Sequence, residues 1–223
     1  MKRYPLLLIL VAIISAAMSQ ETPPPSRSVF KISPQHFTKN QLKIGLERFT
    51  HSYSRSFSLF LVGLFDRYEN VGYTEGYNGI GTELQYRKYI VPMAPHTTRK
   101  DHAYHRGIYF SGYLQGGYYS GKQTGITSNY DPATGNHTSS PYEYTDNIRN
   151  LGGGITFGFQ QTLWSKLFFE AYVGGGLQFS SHTSSGTLPP DPYYYYYYDS
   201  NSITSLDYQG MLPKIGVLIG IGL

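Results

Sequence analysis

Cysteine is absent from the 223 residues, which excludes disulfides, thiolate metal sites and a lipid-modified cysteine together. Charge is scarce as well. Asp, Glu, Lys and Arg make up 14% of the chain, and the net charge of +4 is modest, with its cations scattered. Nucleic-acid binding needs a basic stripe or patch, so no nucleic-acid partner is expected. Long apolar runs are missing after residue 20, where nothing approaches the roughly 18–20 residues of a spanning helix. Any membrane crossing by that part must use strands closed into a barrel, because only closure satisfies every backbone hydrogen bond in lipid.

The first residues are of a different kind. Lys2 and Arg3 precede an apolar run from Leu6 to Ile14, and Ala17 and Ser19 hold the −3 and −1 positions of a cut before Gln20. That is the pattern of a cleaved secretory signal peptide, so residues 1–19 are set apart from the fold. Residues 20–27, with Pro23, Pro24 and Pro25, read as a short extended spacer. Residues 28–223 remain, enough for one barrel or sandwich. Across the whole chain tyrosine (23) and glycine (25) are abundant, as suits interfacial girdles and closely packed strands.

Period-two alternation predicts eight strands in that region. The last is the clearest: Ile215, Val217, Ile219, Ile221 and Leu223 share one face, Lys214, Gly216, Leu218, Gly220 and Gly222 the other. The first, Ser28 to Ser33, sets Phe30 and Ile32 against Lys31 and is interrupted by Pro34. The second sets Leu42, Ile44 and Leu46 against Lys43, Gly45 and Glu47. The third, Phe57 to Asp66, is apolar on both faces, with Phe57, Leu59, Leu61 and Phe65 against Phe60, Val62 and Leu64; its orientation stays open. The fourth opposes Ile80, Thr82, Leu84 and Tyr86 to Gly81, Glu83, Gln85 and Arg87, and the fifth Ile108, Phe110 and Leu114 to Tyr109, Ser111, Tyr113 and Gln115. The sixth opposes Leu151, Ile155, Phe157 and Phe159 to a glycine-rich face, and the seventh Leu167, Phe169, Val173, Leu177 and Phe179 to Glu170, Tyr172, Gly174, Gly176 and Gln178.

The connections alternate in length. His51–Arg55 and Gln161–Lys166 are short, whereas Arg67–Asn78, Ser120–Asn147 and His182–Gln209 are long. With both termini in the periplasm, the short ones become periplasmic turns and the long ones extracellular loops. Two links break the rule: Ile90–Arg106 is long for a periplasmic turn, and Thr38–Asn40 is very short for an outer loop.

The face opposite the aliphatic one shows which way the sheet turns. On a water-facing sheet it would carry many Lys, Glu and Thr; here much of it is glycine, which loses backbone entropy and gains nothing in water. Inside an eight-stranded barrel, small residues must sit across from large ones, for which Tyr109, Tyr113 and Tyr172 are the natural partners. The charges on that face are Lys43, Glu47, Glu83, Arg87, Glu170 and Lys214, three of each sign, and buried charges must pair. They predict a closed lumen charge network rather than an open channel, with Glu83 and Arg87 as partners.

Several short motifs carry a resemblance: Leu46-Glu47-Arg48 before the first turn, Glu83-Leu84-Gln85-Tyr86-Arg87-Lys88-Tyr89, Gly107-Ile108-Tyr109-Phe110, and Gly210-Met211-Leu212-Pro213-Lys214-Ile215-Gly216. From about Ser28 to Leu223 the chain resembles a family of small outer-membrane β-barrels of unknown function, Bacteroidetes-type, within the OmpA-like transmembrane superfamily. The resemblance implies an all-β, eight-stranded antiparallel transmembrane β-barrel in a Gram-negative outer membrane, with no reaction to carry over. Two departures stand out: the chain ends on Leu223 instead of an aromatic residue, and no periplasmic domain follows the barrel.

Little points to chemistry. His96, His102 and His105 share one connection with Arg99, Lys100, Asp101 and Arg106, a solvated basic segment rather than a metal site with rigid donors. His182-Thr183-Ser184 puts a histidine and a serine on one strand face, the beginning of a His-x-Ser hydrolase acting on lipid A or phospholipid; no glutamate follows, only Asp191, Asp199 and Asp207. Asn136-His137-Thr138 matches a glycosylation triplet but reads as ordinary loop. Tyr193, Tyr194, Tyr195, Tyr196, Tyr197 and Tyr198 follow Pro189-Pro190-Asp191-Pro192, and on an outer loop such rings could stack on sugar or protein.

The expectation is therefore a barrel with a side-chain-filled lumen, not an enzyme, without cofactor or metal. Its role would be structural or surface-interacting. Its partners would be outer-membrane lipid and lipopolysaccharide, the barrel-assembly machinery, and an extracellular protein or glycan. A membrane-embedded hydrolase, a small pore and a secreted barrel holding an apolar ligand are the alternatives.

Overall fold

In the computed structural model, residues 26–70, 73–91, 95–96, 104–131, 135–163, 166–187 and 206–223 are described. The signal segment, residues 20–25 of the spacer, His102 and the run Tyr193–Tyr198 lie outside the described residues. Among these residues eight strands form the wall: β1 Ser28–Ile32, β2 Gln41–Phe49, β3 Arg55–Asn70, β4 Tyr73–Val91, β5 Tyr104–Asp131, β6 Asn136–Leu163, β7 Leu167–Thr187 and β8 Gly210–Gly222. A two-residue bridge, Pro95–His96, lies beside the start of β5.

Each strand pairs antiparallel with the next in the chain, and β8 pairs with β1, so the sheet closes into a barrel. Following cross-strand partners from Phe30 through Leu46, Leu59, Leu84, Leu114, Gly153 and Leu177 leads to Met211 on β8. In the β1–β8 register, where Ile32 faces Ile219, Met211 stands level with position 40, not position 30. This offset of ten residues is the shear of the barrel. With eight strands it tilts them within the roughly 35–45° usual for closed barrels. Below, the end where β1 begins and β8 finishes is the base; the opposite end is the mouth.

The large apolar side chains of the alternating faces point outward, away from the lumen. Phe57, Leu61, Ile80, Leu114, Ile155, Val173, Leu177 and Ile215 are all exposed, Ile155 at 68% and Ile215 at 78%. The third strand, open in the sequence, takes one orientation: Phe57, Leu59, Leu61 and Phe65 face out, and Phe60 and Leu64 are buried inside. Its register explains the choice. Phe60 stands opposite Gly45 of β2, where a side chain on Gly45 would overlap the Phe60 ring.

The long outer loops expected from the sequence need correction, because strands occupy most of the first two and the start of the third. β3 runs to Asn70 and β4 starts at Tyr73, so Arg67–Asn78 is largely sheet. Ser120–Asn147 belongs to β5 and β6 except around residues 132–135, which places Asn136-His137-Thr138 on a strand, and residues 182–187 are the end of β7. Beyond the apolar belt both faces of a strand are polar, so alternation disappears from the sequence while the backbone ladder continues. The connection around Thr38–Asn40 also differs: Pro34–Lys39 forms a 3-10 helix that ends at Asn40 in the left-handed conformation, φ 52°. The proline that interrupts the first strand is the first residue of that helix.

Candidate functional site: the filled lumen

Inward-facing side chains of all eight strands fill the barrel in layers. At the base, Val29, Phe49, Tyr89, Tyr109 and Phe168 form one apolar cluster, with Tyr53 packed against it. Phe60, Tyr172 and Leu218 form a second cluster, and Leu64, Tyr119 and Ile148 a third, joined by Tyr77 and by Leu206 from the segment leading into β8. Glycine makes room for the rings: a Cβ on Gly117 would lie 2.6 Å from the Tyr119 hydroxyl, and one on Gly216 2.6 Å from that of Tyr172.

The charged residues lie among these clusters, in two groups. In the first, Arg87 Nη1 of β4 donates to Glu170 Oε2 of β7 at 2.9 Å and to Glu47 Oε1 of β2 at 3.2 Å. Lys31 Nζ of β1 lies 2.5 Å from Glu47 Oε2 and also binds Glu170. The same carboxylates accept from neutral neighbours: Tyr109 donates to Glu170 and Ser56 to Glu47, each at 2.5 Å. Tyr89 donates to Gln160 at 2.8 Å. Arg87, Lys31, Glu47 and Glu170 are at most 1% exposed.

In the second group, Lys43 Nζ and Lys214 Nζ approach one oxygen of Glu83, Oε2, at 2.7 and 2.9 Å. Two cations share one carboxylate, and aromatic faces help to hold them: Lys214 sits 3.5 Å from the centroid of Tyr113, Lys43 4.8 Å from that of Phe60. Gln85 connects the groups, since its amide donates to Glu83 and its carbonyl accepts from Arg87 Nε at 2.9 Å.

All six residues expected to line the lumen, Lys43, Glu47, Glu83, Arg87, Glu170 and Lys214, face inward. The set gains Lys31 and divides in two, so the equal count of signs does not hold: four cations face three carboxylates. The direct Glu83–Arg87 pair is also corrected, because each reaches a different partner across the lumen. Lys31 could have been found from its sequence, where it alternates with Phe30 and Ile32; the shortness of the first strand hid it.

At the mouth, His182 and Ser184 point inward from β7, and a carboxylate absent from the sequence motif meets them. Asp146 of β6 is the cross-strand partner of Ser184 and is buried. Ser184 donates to Asp146 Oδ1 at 2.5 Å, His182 Nε2 lies 3.1 Å from that same oxygen, and Ser184 Oγ lies 3.3 Å from the same ring nitrogen. A nucleophilic relay needs the two ring nitrogens to serve different partners, serine on one and carboxylate on the other. Here one nitrogen faces both, and the serine proton goes to the aspartate, an arrangement that ties β6 to β7. Among the described residues no cluster of His, Cys, Asp or Glu has the makings of a metal site.

No family model matches the chain, and neither does any curated protein. Among solved structures it is similar to the crystal structure of Acinetobacter baumannii CarO, with a TM-score of 0.44 and 12% identity, covering 92% of this chain and 100% of that one.

Proposed function

We propose that this chain is an outer-membrane β-barrel whose lumen is sealed by its own side chains, with a structural or surface-interaction role carried by the parts beyond the mouth. One observation carries the reading: the wall is apolar outside and charged inside, the reverse of a water-soluble protein. Leu114, Ile155 and Ile215 would face acyl chains, while the seven lumen charges find their partners among themselves. Kinship with small OmpA-like barrels, delivery by the signal segment and insertion by the barrel-assembly machinery belong to the same proposal. So does an extracellular protein or glycan partner met by the outer segments, including Tyr193–Tyr198.

The experiment combines fractionation with conductance. The mature protein is expected in the outer-membrane fraction, with heat-modifiable mobility on a detergent gel and no steady single-channel current in planar bilayers. Release as a detergent-free monomer would overturn the membrane reading. Steady conductance would replace the sealed lumen by a pore, and altered lipid A in overexpressing cells would replace the structural role by hydrolysis.

A further inference from the structure

The wall is incomplete on one side. β1 ends at Ile32 and covers only Ile219–Gly222 of β8, so Gly210–Leu218 pair with β7 on one edge and, among the described residues, with no strand on the other. Across the gap, β2 starts at Gln41 opposite Leu64 and leaves the outer end of β3 likewise uncovered. The 3-10 helix Pro34–Lys39 meets β8 at this notch through Gln35, which accepts from Val217 N–H.

The backbone shows which groups look into it. Leu223 N–H donates toward β1, to Ser28, and Gly222 N–H donates toward β7, to Lys166. Neighbouring residues of an antiparallel strand serve opposite edges, so Val217, Ile215, Pro213 and Met211 turn their backbone groups to the notch. Side chains take part of the missing strand's place. Val217 N–H donates to Gln35 Oε1 and its carbonyl accepts from Ser33, both at 3.4 Å; the Met211 carbonyl accepts from the Tyr208 hydroxyl at 2.9 Å. Pro213 has no N–H to offer. An edge blunted in this way resists pairing with another strand.

What is left suits an amphiphile. Among the described residues, Ile215 has no strand partner for its N–H and carbonyl on the notch edge, at a height where the neighbouring side chains are apolar; Met211, Ile215, Phe65 and Phe37 are all exposed around the notch. Lys39 is exposed at the end of the helix, next to Asn40, whose carbonyl accepts from Phe65 N–H at 3.0 Å, and behind the edge Lys43 and Lys214 exceed Glu83 by one positive charge.

We propose that the notch binds an anionic, phosphate-bearing lipid of the surrounding membrane. Its head group lies against Lys39 and the open Ile215 amide, and one acyl chain lies along Phe37, Phe65, Met211 and Ile215. This deepens the membrane-barrel reading and rests on it. A head group supplies the polar partner that the Ile215 amide needs, which an acyl chain alone cannot do.

Fluorescence quenching by brominated lipids tests it. In a Trp164→Phe background, which removes the chain's one tryptophan, Ile215→Trp probes the notch and Leu114→Trp the intact wall on β5. Both variants replace exposed side chains, and heat-modifiable mobility checks that they fold. In mixed vesicles, the notch probe is expected to favour brominated phosphatidylglycerol over brominated phosphatidylcholine by about fivefold, whereas the β5 probe shows no such preference. Lys39→Gln should lower the notch preference to that of β5. Equal preference at the two positions, or a notch preference that survives Lys39→Gln, overturns the proposal while leaving the barrel in the membrane. Loss of quenching at the notch alone, with a cross-linked dimer, would put a second copy there and overturn it too. If neither probe is quenched by either lipid, the membrane reading falls with it.

Discussion

Glu170 holds two cations at once, Lys31 and Arg87, and accepts a third hydrogen bond from Tyr109 inside the barrel near its base. Removing its charge would leave two buried cations sharing Glu47 alone. Glu170→Gln is therefore expected to cost about 3–5 kcal/mol in urea unfolding from lipid vesicles. Lys122→Gln, which breaks an ion pair whose side chains are 60% and 63% exposed, should cost under about 1 kcal/mol. The two charge groups also make a separate prediction. A double-mutant cycle between Glu83 and Lys214 should give a coupling of about 1–3 kcal/mol, and one between Glu83 and Arg87 under about 0.5 kcal/mol. A large second coupling would mean that Gln85 transmits charge between the groups as well as joining them. This is also where sequence reading reaches its limit. Glu83 and Arg87 face the lumen from one strand with opposite charges, which suggests a pair. Yet positions four apart on a strand lie roughly 13 Å from each other, so each finds its partner across the lumen. Alternation gives the face of a residue; the partner depends on register and shear, which no single strand encodes.

The strands differ in how plainly they could be read. β8 and the membrane-level part of β6 alternate cleanly because one side meets large apolar neighbours and the other meets tyrosines and glycines. The outer halves of β5, β6 and β7 have no such contrast and read as loops in the sequence, and the turn into the 3-10 helix keeps β1 short. Within β6, adjacent residues should fail for different reasons. Ile155→Arg on the outer face should cost about 2–4 kcal/mol near the bilayer midplane, through burial of a charge in lipid. At Gly154 even alanine should be harmful, because its Cβ would run into the β7 backbone at Gly175 and Gly176. Gly154→Ala is expected to cost about 1–3 kcal/mol by overpacking. Gly112→Ala, where a Cβ meets nothing within 4 Å, should be nearly neutral. Unfolding of all three in one vesicle system makes the comparison. An Ile155→Arg variant as stable as the parent would mean that this face does not meet lipid.

The molecule as a whole has regions of unequal support. In the belt, each strand except at the notch is held on both edges, and side chains from every strand meet in the lumen. Above it the ring thins out. β4 pairs with β5 only as far as Gly125, and β7 reaches β6 only up to Glu143. Beyond those points, among the described residues, Ile126–Asp131 and the stretch from Asn136 to Tyr142 pair only with each other, as a two-stranded tip. A lone hairpin is marginal in water, whereas the ring below opens only with the whole fold. Hydrogen exchange in lipid nanodiscs should therefore separate the two. Amides of residues 126–131 and 136–142 are expected to exchange at least about a hundredfold faster than those of residues 108–115 and 152–160. The boundary should fall near Gly125 and Glu143, where the outer neighbours stop, and not at the edge of the apolar belt. Equal protection of tip and ring would require something further to pair with the tip, and the outer face of the barrel would then be built by more than these two strands.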